Sequence, residues 1–412
     1  MKFVNVLFVV LLYCTHLSAQ VTLPNNLYFT HIGVEDGLCQ NTVCCILQDH
    51  LGFIWLGTKD GLTRYDGYRF RVFKHDAADP MSIGNNFIRV LYEDADGLIW
   101  IGTNVGVYIY NPETENFRKF DVATERGDVI SREVSSIKCD SSGDLWIGVN
   151  WQGVFRYDRR DESLELYEPV PGDTTSLSSV HVWDLCFDGD GNLWVGSQNG
   201  GLDRYDRETD RFVRHRLKGL SDVSRIVLDK QNQLLLGTMK DGLFSFNPYM
   251  GTCQPLLLDS GHKDLFVRAI FVRNSREVVV GTENGIYIYD CVTRKTRHVN
   301  QELGNPYSLS CKAVYSIYCD KEGALWIGTY FGGVNYLPPS SSLIFDKFYP
   351  IGHSDRLSGK AVREFVRDES GIIWIGTEDQ GLNRFDPVSG KFTHYNSRNS
   401  GQIGRASCRE RV

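Results

Sequence analysis

Short apolar stretches recur along the whole chain, in pairs separated by a turn that contains glycine. The segment "LIWIGTNVGVYIY" (98–110) holds one such pair. Related segments begin at Phe53, Leu145, Leu193, Leu234, Val278, Leu325 and Ile373. The stretches are rich in Val, Ile, Tyr, Phe and Trp and are bounded by Gly, Asp, Asn or Pro, which predicts β-strands joined by tight turns.

The glycine of the W-x-G-T element marks the length of the repeat. It stands at Gly57, Gly102, Gly148, Gly196, Gly237, Gly281, Gly328 and Gly376, at intervals of 41 to 48 residues. Four strands can be assigned within one repeat, for example "FIRVLYED", "LIWIGT", "VYIYN" and "NFRKFD" in the second. A period of this length that contains only strand patterns predicts an all-β fold, a β-propeller with one four-stranded blade per repeat.

The tryptophan and the aspartate of the repeat are interpreted as structural. Trp100 stands in a strand that neighbouring blades would cover on both faces, where a bulky ring fills the space between blades. Asp94-Ala-Asp-Gly imitates the beginning of a calcium loop, but Val105 stands where such a loop needs glutamate. We therefore expect the repeated aspartate to accept backbone N–H groups in a turn, and we predict no metal site and no cofactor.

The repeats can close into a ring in two ways. Pro338 and Pro339 interrupt the last turn of the seventh repeat, whereas Tyr28–His31 resembles an outermost strand with no blade before it. Because pairing a terminal strand into the last blade removes exposed sheet edges, we expect this segment to complete the seventh blade. Residues 27–344 would then form a seven-bladed ring, and residues 345–400 would form the first blade of a second propeller. A single eight-bladed ring is the alternative.

The composition is typical of an exported protein rather than a nucleic-acid-binding one. The net charge of −7 is spread without a block of like charge, so a nucleic-acid partner is not expected. Residues 1–20 combine one lysine, an apolar run over 4–13 that is too short to span a membrane, and the small residues Ser18 and Ala19. This pattern predicts a secretory signal peptide, and the bulky residue before Cys14 disfavours a lipoprotein signal.

The cysteines and the C-terminal tail add little chemistry. Of eleven cysteines, the nine between Cys14 and Cys408 are scattered, with no zinc-binding spacing. Their places in the repeat, as at Cys139 and Cys319, indicate buried apolar residues, although export makes a disulfide possible. Residues 402–412 show no strand alternation and are predicted to be a non-native tail, so we expect the natural coding sequence to continue.

The repeats resemble those of the two-component regulator propeller family. The segments "FTHIGVEDGLCQNTVCCILQDHLGFIWLGTKDGLTRYDGYRFRVF", "SLSSVHVWDLCFDGDGNLWVGSQNGGLDRYD" and "LSGKAVREFVRDESGIIWIGTEDQGLNRFDP" carry this resemblance, which extends over residues 27–395. It implies the periplasmic sensor part of a hybrid two-component system from Bacteroidetes-type bacteria. Such sensors respond to oligosaccharides from polysaccharide breakdown and signal by phosphorelay to a cytoplasmic histidine kinase.

The architecture implied by the resemblance is longer than this chain. Two seven-bladed propellers and a small β-sandwich precede a helix in the inner membrane, and a histidine kinase, a receiver and a DNA-binding domain follow. The resemblance also implies a homodimer for the full-length sensor, with membrane contact only through the downstream helix. Because no kinase motif stands in these 412 residues, we expect no catalysis by this chain, whereas its full-length parent would be a histidine kinase.

Residues that break the repeat mark a candidate ligand site. Trp151 lies in the turn after a second strand and Trp183 lies at the entrance of a first strand, and both kinds of connection emerge on one face of a propeller. We expect the two rings to approach each other there, since aromatic rings beside polar groups suit a sugar. The predicted ligand-binding residues are Trp151, Trp183, Tyr330, Phe331, Asn104, Asn150, Gln152, Gln198, Asn199, Arg132 and His181. Packing of these aromatic side chains against the central channel is the alternative.

Two other classes of function stay open from the residues alone. Propellers host glycosidases and lyases, but the chain has no G-x-S-x-G, H-E-x-x-H or P-loop motif, and most of its carboxylates stand in repeat columns or turns. An exported polysaccharide-degrading enzyme therefore rests on fold analogy, and no catalytic residue is assigned. A protein-interaction scaffold would bind its partner without any dependence on sugar.

Overall fold

The computed structural model describes residues 22–217, 220, 222–257, 265–339, 347–350 and 356–399. The predicted signal peptide and the predicted non-native tail lie outside these residues, as does the predicted boundary between the two propellers at 344 and 345. Within the described residues, no helix combines the length and the apolar character that a membrane crossing needs.

The described residues form 32 strands in eight antiparallel sheets of four, with one short 3-10 helix at Val34–Asp36. The first seventeen strands are β1 (Thr30–Ile32), β2 (Val43–Gln48), β3 (Ile54–Thr58), β4 (Gly61–Tyr65), β5 (Phe70–Phe73), β6 (Ile88–Glu93), β7 (Ile99–Thr103), β8 (Gly106–Asn111), β9 (Asn116–Lys119), β10 (Val134–Cys139), β11 (Leu145–Val149), β12 (Gly153–Asp158), β13 (Ser163–Tyr167), β14 (Val182–Phe187), β15 (Leu193–Ser197), β16 (Gly201–Asp206) and β17 (Arg211–His215). The remaining strands are β18 (Arg225–Leu228), β19 (Leu234–Gly237), β20 (Leu243–Asn247), β21 (Thr252–Leu257), β22 (Val267–Val272), β23 (Glu277–Thr282), β24 (Gly285–Asp290), β25 (Thr296–Val299), β26 (Val314–Cys319), β27 (Leu325–Thr329), β28 (Val334–Leu337), β29 (Val362–Arg367), β30 (Ile373–Thr377), β31 (Gly381–Asp386) and β32 (Lys391–Tyr395). The all-β fold and the four-stranded blade of the repeat are confirmed.

One sheet takes a strand from the other end of the chain. In seven sheets the strands follow one another in sequence, as in β2-β3-β4-β5, but the sheet of the seventh repeat has the order β1-β28-β27-β26. Thr30 lies opposite Tyr336, and Ile32 lies opposite Val334. The outer strand expected at Tyr28–His31 is therefore found at Thr30–Ile32, in the sheet of the seventh repeat.

The first strands of seven sheets form an inner wall around a central channel. β2 contacts β6, β6 contacts β10, β10 contacts β14, β14 contacts β18, β18 contacts β22, β22 contacts β26, and β26 contacts β2. These contacts make one closed circuit, because the last strand of the series returns to the first. By contrast β29, the first strand of the eighth sheet, is exposed at all six of its residues.

The glycine of the repeat permits close packing between neighbouring sheets. A Cβ atom at Gly102 would lie 2.4 Å from Val90 Cγ1 in the same sheet and 2.6 Å from Val134 Cγ1 in the next sheet. At Gly376, in the eighth sheet, the nearest atom would be the carbonyl oxygen of Glu364 at 3.7 Å, which is an ordinary contact. The glycine is therefore a packing requirement inside the circuit of seven sheets and not in the eighth sheet.

The repeated tryptophan and aspartate are bonded to each other. Trp100 is 2% exposed, and its indole N–H donates to Asp94 Oδ2 at 2.8 Å. Asp94 Oδ1 accepts the backbone N–H groups of Asp96 and Leu98, both at 3.0 Å. The same indole bond is made by Trp55, Trp146, Trp194, Trp326 and Trp374. The predicted turn role of the aspartate is confirmed, whereas its bond to the indole was not anticipated.

Six of the nine described cysteines lie in strands, whereas Cys39, Cys291 and Cys311 lie in connections between strands. All nine described cysteines are free thiols, and Cys186 is buried. Cys139 and Cys319 are partly buried at the ends of β10 and β26. Across the part of the chain that the structure describes, no group of three or more His, Cys, Asp or Glu side chains is placed to hold a metal ion.

Candidate functional site

Two kinds of connection lie side by side at one face of the seven inner-wall sheets, and we call this the turn face. It consists of the turns between second and third strands and of the segments that lead into the first strands. Asn150, in the turn after β11, forms an isolated antiparallel bridge with His181, just before β14. In the same way the backbone N–H of Gly106 donates to the carbonyl of Arg132 at 3.1 Å. Each turn is thus joined to the entrance of the next sheet.

Trp151 is the most open tryptophan of the turn face. Its backbone has φ of 70°, a left-handed conformation that projects the side chain outward, and the residue is 65% exposed. Its backbone N–H donates to the carbonyl of Val180 at 2.9 Å, which fixes the turn. The ring of His181 meets the indole edge to face, with ring centroids 4.1 Å apart. His181 Nδ1 lies 3.2 Å from Asn150 Oδ1, so three predicted residues form one unit.

Trp183 faces a different environment from Trp151, and no ring contact joins the two among the described residues. It is half-buried on β14, with its ring centroid 5.8 Å from that of Phe266. Its indole N–H is buried and has no hydrogen-bond partner in the described part of the chain. The pairing of β14 with β15 shifts register between Val182 and Asp184, so Trp183 is the extra residue of a β-bulge and turns into the channel.

Tyr330 and Phe331 form a second aromatic pair on the turn face. Their ring centroids lie 4.3 Å apart at 72°, and Phe331 is 71% exposed. Tyr330 is held from below by Tyr315, at 5.1 Å between centroids. Lys59 Nζ lies 4.1 Å from the centroid of the Tyr330 ring and donates to its hydroxyl at 2.8 Å. Phe331 is therefore the member of the pair that is open to a ligand.

Two of the predicted polar residues use their amide groups inside the protein. Gln152 Oε1 accepts the backbone N–H groups of Ser131 at 3.0 Å and Arg132 at 3.1 Å. Asn104 Oδ1 accepts Arg89 Nε at 2.9 Å. These amides position loops and an arginine rather than standing open for a ligand.

Three other predicted polar residues keep their side chains available. The side chains of Arg132, Gln198 and Asn199 make no hydrogen bond within the described residues, and Arg132 and Asn199 are exposed. The backbone N–H of Asn199 donates to Asp222 Oδ1 at 2.9 Å, which holds its turn in a left-handed conformation with φ of 59°. The turn face thus offers both donors and acceptors around the exposed rings.

A cavity at the mouth of the channel was not anticipated as a ligand site. It has about 640 Å³ of empty space, part of which is open to solvent. Seven lining residues come one from each inner strand, and these are Cys44, Arg89, Ser135, Trp183, Arg225, Arg268 and Tyr315. Asn150 and Glu133 of the turn face line it too, so the channel mouth and the turn face are continuous.

β-Bulges turn six of these seven residues into the channel. In each inner strand except β18, the pairing with the second strand of the sheet shifts register around the second residue. In β6, for example, Ile88 and Val90 have partners in β7, and Arg89 between them is the unpaired residue of a β-bulge. A signal for these positions exists in the sequence. Each of the six stands fourteen residues before the last residue of the second strand, as Arg268 stands before Thr282.

The channel wall contains several charged side chains and one thiol of low reactivity. Arg89 forms an ion pair with Glu133, and Arg268 Nη2 lies 2.5 Å from Glu283 Oε1. Burial raises the pKa of the Cys44 thiol to about 11, so it stays protonated near neutral pH and is a poor nucleophile. The wall therefore suits ionic recognition better than covalent chemistry.

Comparisons with known proteins match the repeat and the fold. A family model described as two component regulator propeller matches residues 37–60, 82–105, 176–199 and 308–331. A stretch of 59 residues, 14% of this chain, is 39% identical to Histidine kinase P4 of Formosa agariphila and covers 4% of that protein. The expected resemblance of the repeats to this family is confirmed at these four segments.

Solved structures extend the similarity over most of the chain. One is described as the extracellular domain of the hybrid two component system BT3049 from B. thetaiotaomicron, with 28% identity, a TM-score of 0.76, and coverage of 90% of this chain and 49% of that domain. The chain therefore spans about half the length of that domain. Virginiamycin B lyase from Staphylococcus aureus is 12% identical with a TM-score of 0.57, covering 76% of this chain and 99% of the lyase, and this similarity shows the fold alone.

Proposed function

We propose that this chain is the ligand-sensing region of a hybrid two-component sensor, because its repeats match the two-component regulator propeller family. The observation that carries the proposal is 28% identity, over 90% of this chain, to the solved extracellular domain BT3049. On this proposal the chain works in the periplasm. Its parent protein is a homodimer in the inner membrane and signals to a cytoplasmic histidine kinase.

We further propose that residues 27–344 form one seven-bladed propeller and that residues 345–400 form the first blade of a second. The closed circuit of contacts from β2 through β26 supports seven blades, as does the pairing of β1 with β28. The exposure of β29 supports an eighth blade outside that ring. A crystal structure in which β29 lines the same channel as β2 and β26 would contradict this division.

The ligand assigned by the proposal is an oligosaccharide from polysaccharide breakdown. The left-handed turn at Trp151 leaves 65% of the residue exposed, and His181 supports the indole from one side. An exposed aromatic face packs against the C–H groups of a sugar ring. The side chains of Arg132, Gln198 and Asn199 are available to bond the hydroxyl groups.

Calorimetry with oligosaccharides from a panel of purified polysaccharides tests this assignment. Trp151→Ala should weaken binding of the responding sugar by ~1–2 kcal/mol, the contribution of one aromatic contact. Tyr68→Ala is the matched control, because Tyr68 is 94% exposed but lies between β4 and β5, at the opposite end of the sheets. If wild type and Trp151→Ala bound the sugar with equal affinity, the ligand would not be bound at this part of the turn face.

An enzyme that acts on polysaccharide is the competing interpretation. The similarity to a lyase concerns the fold, and no catalytic residue is assigned. New reducing ends or unsaturated products, formed when the purified chain is incubated with the same panel, would contradict the proposed sensor. Sugar-independent capture of a protein partner would instead favour a scaffold.

A further inference from the structure

We propose that the mouth of the central channel binds an acidic group, either a carboxylate or a sulfate ester, and that Arg225 is its main contact. The inference rests on the proposed function for the carrier of that group, an oligosaccharide seated on the turn face. Recognition of the acidic group itself follows from the channel wall. It can be tested separately from signalling and from the sugar platform at Trp151.

Arg225 is oriented by backbone carbonyls. Its Nε donates to the carbonyl of Arg268 at 2.7 Å, and its Nη1 donates to the carbonyls of Ser224 at 2.8 Å and Trp183 at 3.5 Å. Its Nη2 has no hydrogen-bond partner among the described residues, although Arg225 lines the cavity. The guanidinium is thus held in one orientation before a ligand arrives, with the Nη2 hydrogens left for an anion.

The two other arginines of the channel differ from Arg225 in having acidic partners. Arg89 pairs with Glu133, and Arg268 pairs with Glu283. No acidic side chain of the described residues forms an ion pair with Arg225. Two of the three guanidinium groups are therefore ion-paired, and Arg225 is the one without an ion pair among the described residues.

Two further charges lie close to this wall and do not remove the excess of positive charge. Asp184 neighbours Arg225 and its negative charge acts on that guanidinium, but its carboxylate accepts Ser136 Oγ at 2.9 Å and a backbone N–H of the next sheet at 3.0 Å and forms no ion pair with Arg225. Lys59, which stands over the ring of Tyr330, adds a positive charge near the channel. With both groups counted, cations still outnumber carboxylates by one.

The cavity strengthens an ionic contact and connects it to the turn face. Trp183 and Tyr315 supply aromatic walls, and a charged hydrogen bond is stronger where water is partly excluded. Asn150 lines the cavity and also contacts His181, which supports Trp151. Adjoining residues would therefore contact a sugar ring on Trp151 and its acidic substituent in the channel.

Arg363 provides a comparison within the same chain. It is the second residue of β29, the position that faces the channel in other first strands, but it is exposed and its Nη2 lies 2.5 Å from Glu378 Oε2. An arginine at this kind of position is therefore not by itself a site. What distinguishes Arg225 is a cavity and the absence of an acidic partner among the described residues.

Saturation-transfer NMR titrations of the whole chain with glucuronate, glucose 6-sulfate and glucose test the inference. We expect at least one acidic sugar to bind about tenfold more tightly than glucose, and Arg225→Gln to lose this preference. Arg363→Gln is the matched control and should retain it. The glucuronate and sulfate titrations distinguish a carboxylate ligand from a sulfate ester.

Equal affinity for the three sugars would overturn the inference, as would an unchanged preference in Arg225→Gln or an equal loss in Arg363→Gln. If Arg225→Gln fails to fold, Arg225→Lys replaces it, since it keeps the charge without the planar fork and should bind with intermediate affinity. Trp151-dependent binding of a neutral oligosaccharide without an acidic preference contradicts this inference alone. An acidic preference without any effect of Trp151→Ala contradicts the proposed platform alone.

Discussion

The third sheet, β10–β13, and the eighth sheet, β29–β32, are built from the same repeat in different surroundings. All five residues of β11 are buried and Trp146 is 1% exposed, whereas Trp374 is half-buried and β29 is exposed along its length. Both indoles donate to the repeat aspartate, at 3.2 Å from Trp146 to Asp140 and 2.8 Å from Trp374 to Asp368. The repeat therefore encodes a sheet with its own internal bonds, and neighbouring sheets supply the burial.

The hydrophobic contacts of the two sheets show the same contrast. The third sheet shares a large buried cluster with the second, which includes Trp100, Phe120, Val134, Phe155 and Leu164. The buried cluster of the eighth sheet, within the described residues, consists of Leu357, Phe385 and Phe392. Because hydrophobic stabilisation follows the area removed from water, equivalent substitutions should have unequal effects in the two places.

The largest expected difference concerns the repeat tryptophan. Trp146→Ala should lower the free energy of unfolding by ~3–5 kcal/mol, because it removes a fully buried ring and leaves Asp140 without its indole donor. Trp374→Ala should cost roughly 1–2 kcal/mol, confined to the eighth sheet, because that ring is partly exposed. Urea unfolding combined with hydrogen exchange resolved by sheet measures both. Equal losses would mean that the eighth sheet is as well covered as the third.

A buried acid in the fourth sheet differs from an amide in the eighth. Asp203 Oδ2 accepts the backbone N–H of Ser178 at 2.8 Å, and Asn383 Oδ1 accepts that of Ser358 at the same distance. Burial raises the pKa of Asp203 from 3.8 to about 6. The folded state therefore binds a proton more tightly than the unfolded state, so stability from this group is complete below pH 3.8 and is lost as pH rises through 6.

Asp203→Asn keeps the acceptor and removes the ionisation. At pH 7.5 it should raise the free energy of unfolding by up to about 3 kcal/mol relative to its effect at pH 4. Asn383→Asp is the reverse control and should lower stability at pH 7.5 in the eighth sheet. Urea unfolding at the two pH values gives both differences. An effect of Asp203→Asn that is independent of pH would contradict the assignment of the raised pKa.

The repeat glycine gives an intermediate effect. Gly102→Ala should destabilise the protein by ~1–3 kcal/mol, because the new Cβ would meet Val90 and Val134 at 2.4 and 2.6 Å. Gly376→Ala should be neutral or stabilising by about 0.5 kcal/mol, since only Glu364 O lies within ordinary contact distance and alanine suits a strand better than glycine. Thermal unfolding with exchange measurements compares the two. If Gly376→Ala lowered the free energy of unfolding as much as Gly102→Ala, another sheet would have to pack against the eighth sheet at Gly376.

The smallest effect is expected five residues from the largest. Trp151→Ala should change the free energy of unfolding by less than about 0.5 kcal/mol, because the ring is mostly exposed and lies in a turn. Chemical unfolding of Trp151→Ala beside Trp146→Ala makes the comparison. A lowered melting temperature with unchanged ligand affinity would assign Trp151 to packing.

Much of the structure of each sheet could be predicted from the sequence, because many of its hydrogen bonds join residues that are close in the chain. Trp100 and Asp94 stand six residues apart in one hairpin, so a single strand alternation and a single tight turn bring them together. The common face of the turns and the strand entrances was also expected from the sequence, and Asn150 and His181 are bridged there. The indole bond itself was missed, although the tryptophan and the aspartate recur together in six repeats.

The channel site could not be assembled in the same way. Cys44, Trp183, Arg225 and Tyr315 belong to four different sheets and meet only because seven first strands close into one circuit. Trp183 points into that channel through a one-residue bulge, and such a shift sends a side chain to the opposite face of a strand. The two-residue period of a strand predicts which side chains lie on the same face, but it does not predict where a β-bulge interrupts that alternation.

Strands, turns and the residues that bond across a turn thus follow from the order of the amino acids, because neighbours in the chain remain neighbours in a hairpin. Burial and charge balance do not, because they depend on which sheet lies next to which. The same glycine is crowded at Gly102 and open at Gly376, and an arginine is paired at Arg363 yet without an acidic partner at Arg225 in the described residues. Closure of the seven first strands around the channel produces these differences, by bringing together side chains that no local pattern relates.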